Sequence, residues 1–190
     1  MNVMETEIPD VKIIEPKIFG DARGYFFESW SDQRYRDAGI DCSWVQDNES
    51  RSRFGVLRGL HYQAAPYTQA KLVRVILGAV LDVAVDIRKG SPTFGKHVAV
   101  ELSGENKRQL FVPRGFAHGF VVLTDDVIFQ YKCDNLYAPS HERGIAFNDP
   151  ALGIDWKVQV EHFILSPKDT VNPLLKDAEL FEISNPEYLK

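Results

Sequence analysis

One stretch combines residue types that can do chemistry with residue types that belong in a protein core. Residues 55–63 read GVLRGLHYQ, in which Arg58 and His61 are surrounded by valine, leucine and tyrosine. A guanidinium can meet an anionic ligand, and an imidazole titrates near physiological pH. Because polar groups are costly to bury without partners, this stretch is a candidate site; the alternative is an edge strand with solvated polar side chains.

Five more residues could contribute to a site because of the strand positions that they occupy. Lys71, His118 and Tyr131 lie on the apolar faces of alternating stretches, where each either faces a ligand or is a satisfied core or strand-end residue. Gln46 and Asn48 share a strand face with an aromatic residue. Amides beside an aromatic ring suit a nucleobase or a sugar, but they suit a hydrogen-bonded loop equally well.

The elements that would position these residues are mostly short strands. Period-two alternation over 80–88 predicts a sheet with unlike faces, and the glycine at position 78 predicts a hairpin corner to the preceding strand. A serine at one end and a glycine at the other predict a helix over 31–39, and a terminal helix is predicted over 176–183. The other predicted strands cover 25–30, 43–48, 55–63, 72–77, 97–103, 109–124 and 127–133, and a short apolar run lies at 11–14.

The number and spacing of these strands indicate the fold class. Many short strands punctuated by glycine and proline are typical of a sandwich or a barrel. Polar groups on its inner faces indicate a ligand cavity, and Glu28 is either a contact inside that cavity or a solvated edge acid. We therefore predict an all-β jelly-roll with a few short peripheral helices, and one domain over residues 1–190.

Composition narrows the class of protein further. The net charge is −5 and the cations are scattered, which argues against nucleic acid as a partner. Cys42 and Cys133 are too few for a disulfide framework, so we expect free thiols in a reducing cytoplasm. The first ten residues lack a signal-peptide pattern, and no stretch has the roughly 18 apolar residues of a membrane span. A soluble, cytoplasmic protein is expected.

Several motifs together resemble one family. Residues 113–118 (PRGFAH) resemble the second motif of cupins. The wider set resembles the dTDP-4-dehydrorhamnose 3,5-epimerase family, a cupin branch, over residues 8–169. The matching stretches are FGDARG (19–24), FE (27–28), VQDN (45–48), VLRGLHYQ (56–63), KLVR (71–74), DVAVDIR (82–88), SPTFG (91–95), PRGFAHGF (113–120), YK (131–132) and LSPKD (165–169).

The resemblance implies a fold, a reaction and an assembly. The fold is the cupin jelly-roll, or double-stranded β-helix, and the substrate is dTDP-4-dehydro-6-deoxy-D-glucose in dTDP-L-rhamnose biosynthesis. C3 and C5 flank the C4 ketone, so each can be inverted by proton removal to an enolate and reprotonation from the opposite face. The resemblance also implies a homodimer, no cofactor and no metal.

The same resemblance assigns roles to residues. His61 matches the base, Asp169 its orienting partner and Tyr131 the acid. Lys71 matches the cation that stabilises the enolate oxygen, and we hypothesise that His118 pairs with Asp82. The residues that match nucleotide-sugar contacts are Arg23, Glu28, Gln46, Asn48, Arg58, His118, Glu142 and Lys168.

Two positions depart from a simple reading of this pattern. A strict pleat sends Arg58 and His61 to opposite sheet faces, although both match ligand contacts, so we predict a bulge or bend at Gly59. Leu136 occupies a position where many relatives carry a tyrosine beside Tyr137. An aromatic contact is therefore expected to be missing, and the preference for base or sugar is left open.

Three alternative functions remain at this point. A metal-dependent cupin would need three or four ligands, whereas residues 61–63 read HYQ in place of HxH. A related nucleotide-sugar epimerase acting at C3 or C5 alone could use the same base and acid. A jelly-roll module that only binds sugar would need neither.

Overall fold

Fifteen short strands and one α-helix make up most of the regular structure in this computed structural model, which describes residues 1–189. The helix α1 spans Asp32–Asp37, as predicted. Five 3-10 helices span Pro139–His141, Val160–His162, Pro167–Thr170, Leu175–Asp177 and Pro186–Leu189. The strands are β1 (Asn2–Glu5), β2 (Lys12–Glu15), β3 (Phe19–Asp21), β4 (Gly24–Phe26), β5 (Gln46–Arg53), β6 (Leu57–Gln63), β7 (Lys71–Leu77), β8 (Ala79–Asp86), β9 (Arg88–Lys89), β10 (His97–Ser103), β11 (Gln109–Val112), β12 (Phe116–Val122), β13 (Asp126–Cys133), β14 (Glu142–Gly144) and β15 (Phe181–Glu182).

Two antiparallel sheets form the body of the fold. The larger sheet has the strand order β1-β2-β11-β7-β13-β5, and the smaller has the order β10-β8-β12-β6-β14. Strands β3 and β4 form a separate hairpin, and β9 pairs with β15 in parallel. The predicted all-β jelly-roll is confirmed. None of the helices within residues 1–189 is long and apolar enough to cross a bilayer.

The faces of these strands pack into three apolar layers. Val73, Phe120 and Phe129 belong to the layer between the two sheets. Odd-numbered residues of β8 pack on the outer face of the smaller sheet, where Trp156 and other residues of the last third cover them. The outer face of the larger sheet is covered by α1 through Tyr35. Since strand neighbours alternate between faces, polar residues in register with the inner layer point between the sheets.

The corner at Gly78 differs from the prediction. Strands β7 and β8 flank it but lie in different sheets, so they form no hairpin. A Cβ at Gly78 would lie 2.1 Å from the carbonyl oxygen of Asp126, and its φ of +76° suits glycine. The chain therefore changes sheets at this close contact, which local sequence alone does not distinguish from a hairpin turn.

The predicted bulge at Gly59 is confirmed by the register of β6 on β12. His61 is opposite His118, whereas Arg58 is opposite Phe120, so β6 has one extra residue in this interval. A Cβ at Gly59 would lie 2.6 Å from the Cα of Gly119. The extra residue reverses the alternation, which lets Arg58 and His61 face the same side.

Two other predicted elements are wrong in whole or in part. The strand predicted over 25–30 ends at Phe26, because the carbonyl of Ser29 accepts hydrogen bonds from Tyr35 and Gln109 side chains instead of pairing in a ladder. The terminal helix predicted over 176–183 is replaced by a 3-10 turn and by β15. Pairing of β15 with β9 overrides the local helix preference there.

Candidate active site

A cavity of about 620 Å³ lies between the two sheets and opens to solvent. It is lined by β5, β7 and β13 of the larger sheet, by β6, β12 and β14 of the smaller one, and by residues 164–169. Ten of the twelve residues predicted for the site line it. They are Gln46, Asn48, Arg58, His61, Lys71, His118, Tyr131, Glu142, Lys168 and Asp169.

His61 and Asp169 form a hydrogen-bonded pair at one side of the cavity. The Nε2 atom of His61 on β6 lies 2.5 Å from Oδ1 of Asp169, which is 3% exposed. Burial alone raises the pKa of Asp169, but hydrogen bonds from His61 and Ser166 outweigh it and hold that pKa below its ordinary value. An ionised carboxylate accepts the Nε2 proton, so Nδ1 of His61 is the nitrogen able to accept another.

Tyr131 lines the cavity from the other sheet. It lies on β13 of the larger sheet, whereas His61 lies on β6 of the smaller one. Burial raises the pKa of the Tyr131 hydroxyl, so this phenol is protonated at neutral pH. The arrangement therefore provides a proton acceptor and a proton donor on opposite sides of one cavity.

A lysine ammonium lies beside the phenol. Nζ of Lys71 is 5.9 Å from the centre of the Tyr131 ring. Burial lowers the pKa of Lys71, and the nearby Cys133 and Asp82 act in the opposite direction. A partly desolvated cation at this position is suited to stabilise negative charge that develops on a ligand.

A second histidine and aspartate pair lies next to the first. His118 on β12 is directly opposite His61 across the strand pair. Its Nε2 lies 2.9 and 3.0 Å from the two carboxylate oxygens of Asp82, a fully buried residue. The pairing hypothesised from the sequence is confirmed, and it orients the His118 ring at the cavity surface.

The other polar residues form a network near the opening of the cavity. Lys168 Nζ donates to Glu142 Oε1 at 2.5 Å, and although burial opposes it, this contact lowers the pKa of Glu142. Tyr137 donates its hydroxyl proton to Glu142 Oε2 at 3.1 Å, and its backbone N–H donates to Gln46 Oε1 at 3.2 Å. Gln46 in turn donates to Asn48 Oδ1 at 2.9 Å. These amides and cations can hold a ligand that is both polar and anionic.

Arg58 is held by the neighbouring strand. Its Nε and Nη2 atoms lie 3.4 and 3.2 Å from the hydroxyl of Ser52 on β5, which is buried. This contact orients the guanidinium at the cavity while leaving most of its donors available to a ligand.

Two predicted residues lie outside the cavity of their own chain. The Arg23 side chain is 90% exposed and pairs with Asp21 in the turn between β3 and β4. Glu28 follows that hairpin and lies 3.4 Å from Arg34 of α1. Arg23 and Glu28, both predicted to contact the ligand, therefore do not line the cavity formed by their own chain.

Sequence reasoning assigned no role to several residues that line or support the site. Tyr137, Ser166 and Cys133 line the cavity, and Ser52 contacts Arg58. Ser166 lies in the LSPKD stretch three residues before Asp169, and this spacing is the signal in the sequence that points to it. Within residues 1–189, no group of three or more His, Cys, Asp or Glu side chains is arranged to hold a metal ion.

Comparison with known proteins gives one consistent result. The family model described as dTDP-4-dehydrorhamnose 3,5-epimerase matches residues 5–177. The Shigella flexneri dTDP-4-dehydrorhamnose 3,5-epimerase is 56% identical over 182 residues, which are 95% of this chain and 99% of that protein. A Legionella pneumophila dTDP-6-deoxy-D-glucose-3,5-epimerase, solved with dTDP-4-keto-L-rhamnose, aligns with a TM-score of 0.92 at 54% identity, covering 95% of this chain and 97% of that one.

A relative with a narrower reaction also matches. A 3'-monoepimerase from Streptomyces bikiniensis, solved with dTDP-quinovose, aligns with a TM-score of 0.85 at 38% identity. The alignment covers 90% of this chain and 87% of that one. The same fold therefore occurs in proteins named for one inversion and in proteins named for two.

Proposed function

The chain belongs to the dTDP-4-dehydrorhamnose 3,5-epimerase family, and from this we propose how its cavity performs the reaction. The protein is an isomerase that inverts C3 and C5 of dTDP-4-dehydro-6-deoxy-D-glucose, a step of dTDP-L-rhamnose biosynthesis. The observation that carries the proposed mechanism is the His61–Asp169 pair facing Tyr131 across one cavity. Proton transfer between two faces of a sugar requires this kind of arrangement.

Each inversion uses one proton acceptor and one proton donor. His61 removes the proton from C3 or C5, the electron pair of the broken C–H bond passes to the C4 oxygen as an enolate, and Asp169 stabilises the imidazolium. The enolate then re-forms the ketone as its carbon takes the proton of Tyr131 from the opposite face. Exchange with water returns the proton from His61 to solvent and restores the phenol.

Lys71 stabilises the enolate oxygen in this proposal. Replacing Lys71 with glutamine is expected to lower kcat about 10²-fold, as loss of one oxyanion-stabilising group does elsewhere. Because burial lowers the pKa of Lys71, the cation is lost as the pH rises through a value below that of free lysine. We therefore expect kcat to fall as the pH rises through this lowered pKa, and Lys71→Arg to move that decline to higher pH.

A nearby lysine provides the control for this prediction. Lys132 pairs with Asp47 and does not line the cavity, so Lys132→Gln is expected to keep the wild-type kcat and pH profile. An unchanged kcat in Lys71→Gln would show that the ammonium does not act on the enolate.

The binding half of the proposal follows from charge and shape. Arg58 and Lys168 are suited to the diphosphate, since guanidinium and ammonium groups bind phosphate oxygens. Gln46 and Asn48 offer amide donors and acceptors to the nucleoside, and His118 and Glu142 complete the contacts to the sugar nucleotide.

One incubation tests the proposed function as a whole. Purified protein is mixed with dTDP-4-dehydro-6-deoxy-D-glucose and a downstream reductase, and formation of dTDP-L-rhamnose is the expected result. In deuterated water, NMR should show deuterium at both C3 and C5. Deuterium at one carbon alone would instead indicate a monoepimerase. Absence of exchange at both carbons would favour the alternative that the protein only binds the sugar.

We also propose a homodimer in which one chain supplies Arg23 and Glu28 to the cavity of the other. The hairpin β3–β4 exposes three aromatic residues, with Phe19, Tyr25 and Phe26 at 53%, 60% and 70% exposure. An exposed aromatic cluster of this kind marks an interaction surface, and Arg23 at its tip carries a charge that suits the dTDP diphosphate. A second copy would cover the aromatic rings and complete both cavities by symmetry.

Mixing two inactive variants tests this arrangement. Arg23→Ala and His61→Ala are each expected to be nearly inactive alone. In a 1:1 mixture of exchanging dimers, about a quarter of the sites combine an intact His61 with an intact Arg23 from the partner, so activity should return to that level. No recovery would show that Arg23 acts within its own chain, and sedimentation as a monomer at micromolar concentration would rule out the dimer.

We retain two further predictions from the sequence as proposals. Residues 1–190 form one domain, and the protein works in the cytoplasm, where the free thiols of Cys42 and Cys133 stay reduced. Cell fractionation would test the second of these.

A further inference from the structure

Asp169 lies on a short segment that is part of no strand and includes the 3-10 helix Pro167–Thr170. Asp169 belongs to residues 166–172, which we name the Asp169 segment, and its position depends on what this segment contacts. The carboxylate makes two hydrogen bonds: Oδ1 to His61 at 2.5 Å and Oδ2 to the hydroxyl of Ser166 at 2.7 Å. The second contact leaves the carboxylate no freedom to rotate without losing a buried hydrogen bond.

Ser166 holds Asp169 through the backbone as well as through its side chain. The backbone N–H of Asp169 donates to the carbonyl oxygen of Ser166 at 3.0 Å. Ser166 is thus joined to both the main chain and the carboxylate of Asp169. Such a double contact fixes the carboxylate relative to its own backbone, but it does not fix the segment relative to His61.

Two contacts with β14 do that: Lys168 Nζ donates to Glu142 Oε1 at 2.5 Å, and Asn172 packs on β14 at the other end of the segment. Asn172 packs against Gly144, which is directly opposite His61 on the neighbouring strand β14. A Cβ at Gly144 would lie 2.4 to 2.6 Å from the amide atoms of Asn172. The backbone of Gly144 has no left-handed φ, so glycine is needed here for space and not for conformation. The missing side chain lets the segment lie close to the strand beside the base.

We propose that Ser166 and the contact between Gly144 and Asn172 position Asp169 on His61, so that Ser166 and Gly144 are positioning residues of the epimerase. The proposal rests on the proposed function, in which His61 is the base. Ser166 sets the direction of the carboxylate, and Gly144 sets the distance between the segment and β6. Neither residue exchanges a proton with the substrate.

Ser166→Ala tests the first half of this proposal. Loss of a hydrogen bond to a charged group is expected to lower kcat about 10-fold or more, with dTDP affinity unchanged because the Ser166 hydroxyl is bonded to Asp169 and makes none of the proposed nucleotide contacts. The acid side of the pH profile should move to higher pH, since Ser166 contributes to the low pKa of Asp169. Ser166→Thr, which keeps the hydroxyl, should restore most of kcat.

A second residue of the same segment serves as the matched control. Thr170 donates its hydroxyl proton to the carbonyl oxygen of Pro167 at 2.7 Å and is exposed. Thr170→Val removes one hydrogen bond from the segment without touching the carboxylate, so kcat is expected to stay at the wild-type level. Equal losses in Thr170→Val and Ser166→Ala would overturn the proposal, because they would indicate a general structural effect.

Gly144→Ala tests the second half. The added methyl group should push the Asp169 segment away from His61 and lower kcat by up to about 10²-fold, the scale expected for a displacement near 1 Å. Because the three atoms nearest to the methyl group would all belong to the side chain of Asn172, Gly144→Ala combined with Asn172→Ala should return kcat to that of Asn172→Ala alone. A wild-type kcat in Gly144→Ala, or no recovery in the double variant, would contradict the proposed contact.

An Asp169→Asn background shows whether these residues act through Asp169. If they do, adding Ser166→Ala or Gly144→Ala to Asp169→Asn should change kcat less than about twofold, because residues that act as one unit are not additive. Full additivity would overturn the inference while leaving the epimerase activity of the wild type in place. An inactive wild type would refute the proposed function itself, so the two failures are distinguishable.

Discussion

Replacing His61 with alanine is expected to lower kcat about 10⁴-fold, the upper end of what a general base contributes, while dTDP binding is retained. Two side chains, His61 and Ser166, are hydrogen-bonded to the Asp169 carboxylate. Of these two, the imidazole is the group that can serve as a general base. The dTDP contacts proposed for Arg58 and Gln46 do not depend on it. The coupled assay gives kcat, and calorimetry with dTDP gives the affinity.

The control for this variant is another histidine of the same chain. His162 contacts the ring of Phe54, is exposed and does not line the cavity, so His162→Ala should keep the wild-type kcat. Substantial turnover in His61→Ala would remove the proposed base. Loss of dTDP binding together with turnover would show that the imidazole serves the ligand and not the proton.

Replacing Tyr131 with phenylalanine is expected to separate proton exchange from inversion. Inversion should fall about 10³-fold because the donor on the opposite face is lost, whereas His61 can still remove a proton and return it to the same face. The ring contact with Phe129, with centroids 6.0 Å apart, is kept, so the fold should be preserved. In deuterated water, the variant should incorporate deuterium at C3 or C5 without forming the epimer.

Tyr67→Phe is the matched control for that experiment. Tyr67 packs against His141 and does not line the cavity, so its hydroxyl should not affect exchange or inversion. If Tyr131→Phe lost exchange and inversion to the same extent, Tyr131 would be needed for substrate binding or for proton removal, and the proposed division of roles would be wrong.

Much of the site could be predicted from strand patterns and from motif resemblance. Period-two alternation placed Lys71, His118 and Tyr131 on inner faces, and all three line the cavity. The bulge at Gly59 was also predictable, because two ligand-facing residues spaced by three cannot share a face of a regular strand. These inferences succeed because a strand's alternation and a glycine's freedom are local properties of the chain.

Other features depend on contacts between distant parts of the chain. The corner at Gly78 is predicted to be a hairpin but joins two different sheets, because a turn between paired strands and a turn between sheets have the same local sequence pattern. The terminal helix was wrong, since β15 gains a partner in β9 that lies far away in sequence. The role of Ser166 became visible only with the carboxylate and His61 in place.

By itself, the sequence determined which residue types are available and which face of a strand each occupies, because side-chain chemistry and strand period are properties of neighbouring residues. Only the tertiary structure decided that Asp169 reaches His61 across 108 positions of the chain, and that Arg23 and Glu28 lie outside the cavity of their own chain. The physical reason is that such distances follow from how two sheets close on each other. That closure depends on the packing of the whole core and not on any single segment.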